Sequence, residues 1–397
     1  MLPHLTDDLL VAISRLCDQP GRARLASTCR RLRDTARSDP AWWGSQLCVC
    51  ITSHAALESL ADFFEHHRHA AHGGARGVSS LHLTLLCDAG QPYDADFIPD
   101  ADEQWYYHLY RCLGALPPGL EQLTLTTDHD LPDLEDLADL AFLHQLDLSP
   151  LHDVFDAHAL TALGELTALT RLSIGGALGE ERGAGLMVDH EVRYVLPPNL
   201  RDLTVTFQVV EFEALLLAAS RLPHLESLCL TASAPMVDLD EEDFYQASTS
   251  LSEALEACTS LRSLRWVPCL GSLPPSVETA EFVGWPPEVF PMLNSPDNSL
   301  HHLTLTHFVD VIPPTVSSLR HLRSLVLRGN TRLSDVSALA ALTALTSLSL
   351  ADCQLSAVPA GLQRLTQLRH LDLSGNGDSL LTDVLAMQLP RLTQIFV

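Results

Sequence analysis

The chain has 397 residues, 46% of them hydrophobic and 19% charged, enough apolar material for a large core and a balance that excludes wholesale disorder. Acidic residues outnumber basic ones 50 to 24, for a formal charge of −26, which argues against a general binder of nucleic acid or anionic membrane. The charge is uneven: residues 1–50 hold seven arginines against five aspartates, and the remainder holds 17 arginines against 45 acids. Lysine is absent. The ten cysteines form no CxxC pair, and their spacing fits neither a zinc site nor a disulfide framework. The opening MLPHLTDDLL has no basic region, no apolar run reaches membrane-helix length, and no N-x-S/T sequon occurs. A reduced, intracellular, soluble protein is expected, cytoplasmic in the simplest case, with nuclear, cytoskeletal or ciliary placement left open.

In chain order, residues 2–48 come first. Leu5, Leu9, Leu10, Ile13 and Leu16 recur at helical spacing, with Thr6 placed to cap the helix and Asp7 and Asp8 in its first turn. Pro20-Gly21 ends it. A second helix is expected around residues 23–36, with Leu25, Cys29 and Leu32 on one face; Asp39-Pro40 stops it before Trp42 and Trp43. So small a helical unit has little room for a private core and needs something to cover its apolar stripe.

These residues resemble the F-box. The matches are Leu2, Pro3, Leu9, Leu10, Ile13, Leu16, Leu25, Cys29, Arg30, Arg31, Asp39, Pro40 and Trp43. The resemblance implies a substrate receptor of a Skp–cullin–F-box ubiquitin ligase. Leu2, Pro3, Leu9, Leu10, Ile13 and Leu25 would enter a Skp-family adaptor by a helix-in-groove mode. The chain would position a substrate for a cullin ligase and do no bond chemistry, so neither enzyme activity nor a cofactor is expected. A receptor without lysine would also resist ubiquitination of its own side chains. The plainer alternative for residues 1–48 is a helical cap over the end of a repeat stack.

Residues 49–77 read as a connecting helix and loop. Within them, FFEHHRHAAHGG gathers His66, His67, His69 and His72; no carboxylate or cysteine completes a fixed metal site, and a solvated helix end is expected.

From residue 78 one pattern recurs, apolar-x-x-apolar-x-apolar. It begins at Val78, Leu120, Leu143, Leu169, Leu200, Leu225, Leu261, Val277, Leu300, Leu322, Leu345, Leu368 and Leu392. From Leu300 the starts lie 22, 23, 23 and 24 residues apart. The alternation places leucines on one face of a short strand, which must stack on neighbours to bury them. The pattern resembles the leucine-rich repeat. The fold class so implied is an α/β leucine-rich-repeat solenoid over residues 78–397: a curved parallel sheet of about thirteen repeats with a helical or irregular convex side, preceded by the small all-α module. Asn330, Cys353 and Asn376 fall at the family's Asn/Cys position, where a side chain can bond the turning backbone. Longer gaps mark insertions at 86–117, with a helix bearing Trp105, Tyr106 and Tyr110; at 178–196, a glycine-bearing loop; at 232–258, an acidic start and a helix; and at 284–298, a proline-rich loop. They either shape binding or are tolerated surface loops.

The expected recognition surface is the concave sheet face. Arg171, Thr204, Phe207, Arg265, His302, His307, Arg328 and His370 are its candidate contacts with an unknown protein substrate, since aromatic and arginine groups anchor interfaces. The three arginines are too dispersed for a phosphate pocket. GGALGEERGAG lacks the spacing and lysine of a phosphate loop, Asp238–Asp243 lacks the calcium-loop pattern, and neither G-x-S-x-G nor HExxH occurs. No nucleic acid, membrane or metal is implied. The alternative function is a leucine-rich-repeat scaffold on cytoskeletal or ciliary structures without a ubiquitin role.

Overall fold

Each of the thirteen repeat starts is followed, two residues on, by the first residue of a strand. The structure is a computed structural model that describes residues 46–51, 54–68, 78–85, 99–127, 134–148, 154–156, 162–175, 185–187, 195–207, 213–232, 255, 258–265, 273–283, 299–306, 312, 314–333, 336–377, 380–387 and 389–397. The chain divides into two compact units, Met1–Ala214 and Leu215–Val397.

In the first unit the strands are β1 (Gln46–Ile51), β2 (Ser80–Leu85), β3 (Gln122–Thr127), β4 (Gln145–Leu148), β5 (Val154–Asp156), β6 (Arg171–Ile174), β7 (Gly185–Met187) and β8 (Asp202–Phe207). β1, β2, β3, β4, β6 and β8 form a parallel sheet in which Leu47, Leu81, Leu123, Leu146, Leu172 and Leu203 stand side by side, all buried. Helices α1 (His54–Arg68) and α2 (Pro99–Gly114) connect β1 to β2 and β2 to β3 and pack on each other, α2 burying Trp105, Leu109, Cys112 and Leu113 at helical spacing.

The second unit repeats the plan. Its strands are β9 (Ser227–Ala232), β10 (Ser263–Arg265), β11 (Thr279–Val283), β12 (His302–Thr306), β13 (Ser324–Val326), β14 (Ser347–Ser349), β15 (His370–Asp372) and β16 (Gln394–Phe396). Leu228, Leu264, Ala280, Leu303, Leu325, Leu348, Leu371 and Ile395 share one register row. Helix α3 (Glu213–Ser220) spans the division between the units, and α4 (Leu380–Ala386) precedes the last strand.

Among the described residues, the return segments of the second unit are mostly 3-10 turns, and leucine spacing explains the choice. Leu339, Leu342 and Leu345 recur every third residue, as do Leu362, Leu365 and Leu368. A helix of three residues per turn puts each set on one side, whereas a 3.6-residue turn would fan it out. Each of these leucines except the first of each series donates its N–H to the carbonyl of the one before it, and all six are fully buried.

Asn330, Cys353 and Asn376 act as the spacing suggests. Asn330 Nδ2 donates to the carbonyls of Leu305 and Leu327, at 2.8 and 2.6 Å. Cys353 Sγ donates to Leu327 O at 3.0 Å, and Asn376 Nδ2 to Leu350 O and Leu373 O at 2.7 and 2.8 Å. Each side chain ties the end of its own strand, or of the neighbouring one, to the turn that follows, satisfying carbonyls the sheet leaves open.

Two expectations are amended. The sheet starts upstream of residue 78: β1 pairs with β2 along its whole length, crosses the boundary drawn at residue 48, and leads into α1 within the supposed connector. Its alternation was masked because Gly44 occupies the first apolar slot. The 178–196 segment is not loop throughout, since β7 pairs with β5 and Leu186 stands opposite Phe207 of β8. Residues 1–45, with the F-box-like Leu2, Pro3, Leu9, Leu10, Ile13 and Leu25, lie outside the described residues, as do residues 284–298, the Asp238–Asp243 run and nearly all of 232–258.

Candidate functional site on the open face of the sheet

With every second strand residue committed to the leucine core, the others face away from it. In the first unit this open face runs in rows across the strands: Gln46, Ser80, Gln122, Gln145, Arg171 and Asp202, then Cys48, His82, Thr124, Asp147, Ser173 and Thr204. In the second unit one row reads Ser227, Ser263, Thr279, His302, Ser324, Ser347, His370 and Gln394. The next reads Cys229, Arg265, Glu281, Thr304, Val326, Ser349, Asp372 and Phe396.

Every candidate arginine is engaged sideways by the repeat that follows it. Arg171 Nε reaches Asp202 Oδ2 at 3.1 Å, Arg265 Nε reaches Glu281 Oε2 at 3.3 Å, and Arg328 Nε reaches Asp352 Oδ2 at 3.0 Å. Arg262 pairs with Glu278 in the same manner at the strand entrance. These pairs are solvent-exposed, so each contributes only about 0.2–1 kcal/mol. Their main effect is to hold the guanidinium over the sheet with its charge balanced. His370 follows the pattern with a neutral partner, its Nδ1 lying 2.9 Å from Gln394 Oε1. His302 is exposed between Thr279 and Ser324, and Thr204 is half-buried beside Ser173. Phe207 ends β8 with its side chain outside the described residues, and His307 lies outside them altogether.

One network on this face leaves no local pattern in the sequence. Asp372 Oδ1 accepts from the Ser374 N–H at 3.1 Å and the Ser374 hydroxyl at 2.7 Å, and Oδ2 accepts from Ser349 Oγ at 3.0 Å. Partial burial pushes this carboxyl up, but the bonds from Ser374 and Ser349 and the nearby Arg328 charge together hold it below the usual carboxylate range. Beside it, Asp352 adopts a left-handed backbone with φ 54°, and its carboxylate lies where a side chain on Gly375 would have to stand. Gly375, itself at φ 70°, is therefore the residue that fits there.

The candidates do not converge. His302 and His370 share a row but are three strand spacings apart, about 14 Å. The arrangement is an extended surface of small hydroxyls and balanced charges. Among the described residues no three His, Cys, Asp or Glu side chains gather as metal ligands, and no helix is long and apolar enough to cross a membrane. Cys48 and Cys50 are exposed on this face, while Cys112 is buried and its thiol is pushed up to about 12 by desolvation.

No family model and no curated relative matches the sequence. Several solved structures are similar over most of the chain. An internalin from Listeria monocytogenes is 17% identical, with 72% of this chain and 82% of that chain covered and a TM-score of 0.41. The TLR13–ssRNA13 complex is 16% identical, covering 83% of this chain and 50% of that chain at a TM-score of 0.44. A leucine-rich-repeat protein of Leptospira interrogans is 16% identical, covering 81% and 91% at a TM-score of 0.30. By its own strand order, leucine rows and asparagine ties, the chain has the leucine-rich-repeat fold.

Proposed function

We propose that the protein is a non-catalytic receptor that binds another protein on the open sheet face. The observation that carries this reading is the geometry of that face. Its larger side chains stand at strand spacings and are held by lateral partners, which suits an extended protein surface better than a small molecule enclosed in a pocket. The finer form of the proposal rests on the sequence of residues 2–48. Their resemblance to the F-box makes the partner of the N-terminal segment a Skp-family adaptor, and the protein on the open face a substrate presented to a cullin ligase.

The test is titration calorimetry of the full chain with a purified Skp-family adaptor, beside the variant Leu9→Arg, Ile13→Arg. The proposal expects saturable binding by the native chain and a loss of at least tenfold in the variant, about 1.4 kcal/mol. Equal heats for both, or none for the native chain, would reject the adaptor role and leave the scaffold reading.

A further inference from the structure

We infer that helices α1 and α2 form a second protein-binding surface, on the helical side of the leucine core, that takes a basic segment of a partner on the rings of Tyr107 and Tyr110. This surface shares no residue with the open face.

The buried stripe of α2 explains what holds the helix down, and Tyr107 and Tyr110 are not part of it. They lie one turn apart and are 61% and 52% exposed. A merely solvated helix face needs no aromatic rings, whereas tyrosine is among the residues that anchor interfaces.

Charge selects the occupant. Among the side chains the structure describes on the two helices, three carboxylates, on Glu58, Asp62 and Glu65, stand against one arginine, Arg111. Arg111 is already engaged: Nε donates to Glu65 Oε1 at 2.9 Å, and Nη2 to Glu65 Oε2 at 2.7 Å and Asp62 Oδ1 at 2.8 Å. The remaining balance is negative, and Asp62 is 62% exposed. The same arginine shows how a cation sits here, because its guanidinium carbon lies 5.8 Å from the centre of the Tyr107 ring. Aromatic faces with a carboxylate rim attract lysine or arginine side chains through both terms and repel acidic partners.

The experiment titrates the full chain with a fluorescent oligoarginine peptide at physiological ionic strength. A protein of charge −26 attracts such a peptide everywhere, so the comparison uses variants of unchanged charge. The pair Tyr107→Ala, Tyr110→Ala should bind roughly 5- to 30-fold more weakly, and Tyr107→Phe, Tyr110→Phe within about twofold of native, because the ring face is what a cation uses. An alanine pair that binds like the native chain overturns the inference, as does a phenylalanine pair that loses as much as the alanine pair. A benzophenone-bearing oligoarginine photo-crosslinked to the native chain gives a readout independent of variant folding. Adducts on residues 54–68 and 99–114 support the site, and adducts confined to the open-face strands or to residues 1–45 overturn it.

Discussion

The amide of Asn330 serves two carbonyls from two different repeats and is 2% exposed. Asn330→Ala would take the amide donor from Leu305 O and leave Leu327 O with the weak Cys353 thiol donor, without filling the space, which costs about 1–3 kcal/mol. Urea unfolding of the full chain should show that loss with an unchanged slope. Asp372 gives a prediction in pH. Its folded carboxyl titrates below its unfolded value, so it contributes stability above the ordinary carboxylate pKa, and that contribution is lost as pH falls through the depressed folded value. Asp372→Asn should flatten the acid limb of a plot of unfolding free energy against pH below about pH 4, and an acid limb identical to the native one would show that the Ser349 and Ser374 bonds do not favour the ionised form. The roles of Asn330, Cys353 and Asn376 were legible in the sequence because each follows its strand at a fixed offset. The acid partners of Arg171 and Arg265 were equally legible in principle. They stand 31 and 16 residues on, the spacing of the repeats that hold them. Asp352 breaks that register by one residue, as its left-handed turn allows, and no spacing rule would have found it.

Among the elements, strands were readable and return segments were not. A strand's leucines declare its face by alternation, but whether a return becomes an α-helix or 3-10 turns depends on leucine spacing of 3 or 3.6, a small difference in a short window. β1 escaped notice because a glycine stands in its opening apolar slot and a different motif claimed its flank. The clamp between α1 and α2 depends on residues 46 and 49 positions apart, which no local pattern connects. The Arg111 guanidinium is held further toward its charged form by its bonds to Glu65 and Asp62. Part of this network is exposed, so a double-mutant cycle on Arg111→Ala and Glu65→Gln should return a coupling of about 1 kcal/mol. A coupling indistinguishable from zero would mean that the helices are held by Trp105, Leu109 and their neighbours alone.

At the scale of the molecule, the net charge of −26 and the nearly balanced open face belong together. Among the described residues, Asp202 and Glu281 on that face pair with Arg171 and Arg265, and Asp372 accepts from Ser349 and Ser374. The leucine stack was legible from its repeat; what it binds was not, because an open face of small hydroxyls carries no motif. Under the proposed function, two surfaces of one chain hold two different proteins. The most direct test is quantitative affinity capture from cell lysate with three full-length baits: native, Leu9→Arg with Ile13→Arg, and His302→Glu with His370→Glu. The account predicts that a Skp-family adaptor and a cullin disappear with the first variant and persist with the second, while a distinct set of proteins does the reverse. Identical captures by all three baits, or no adaptor with any of them, would contradict it.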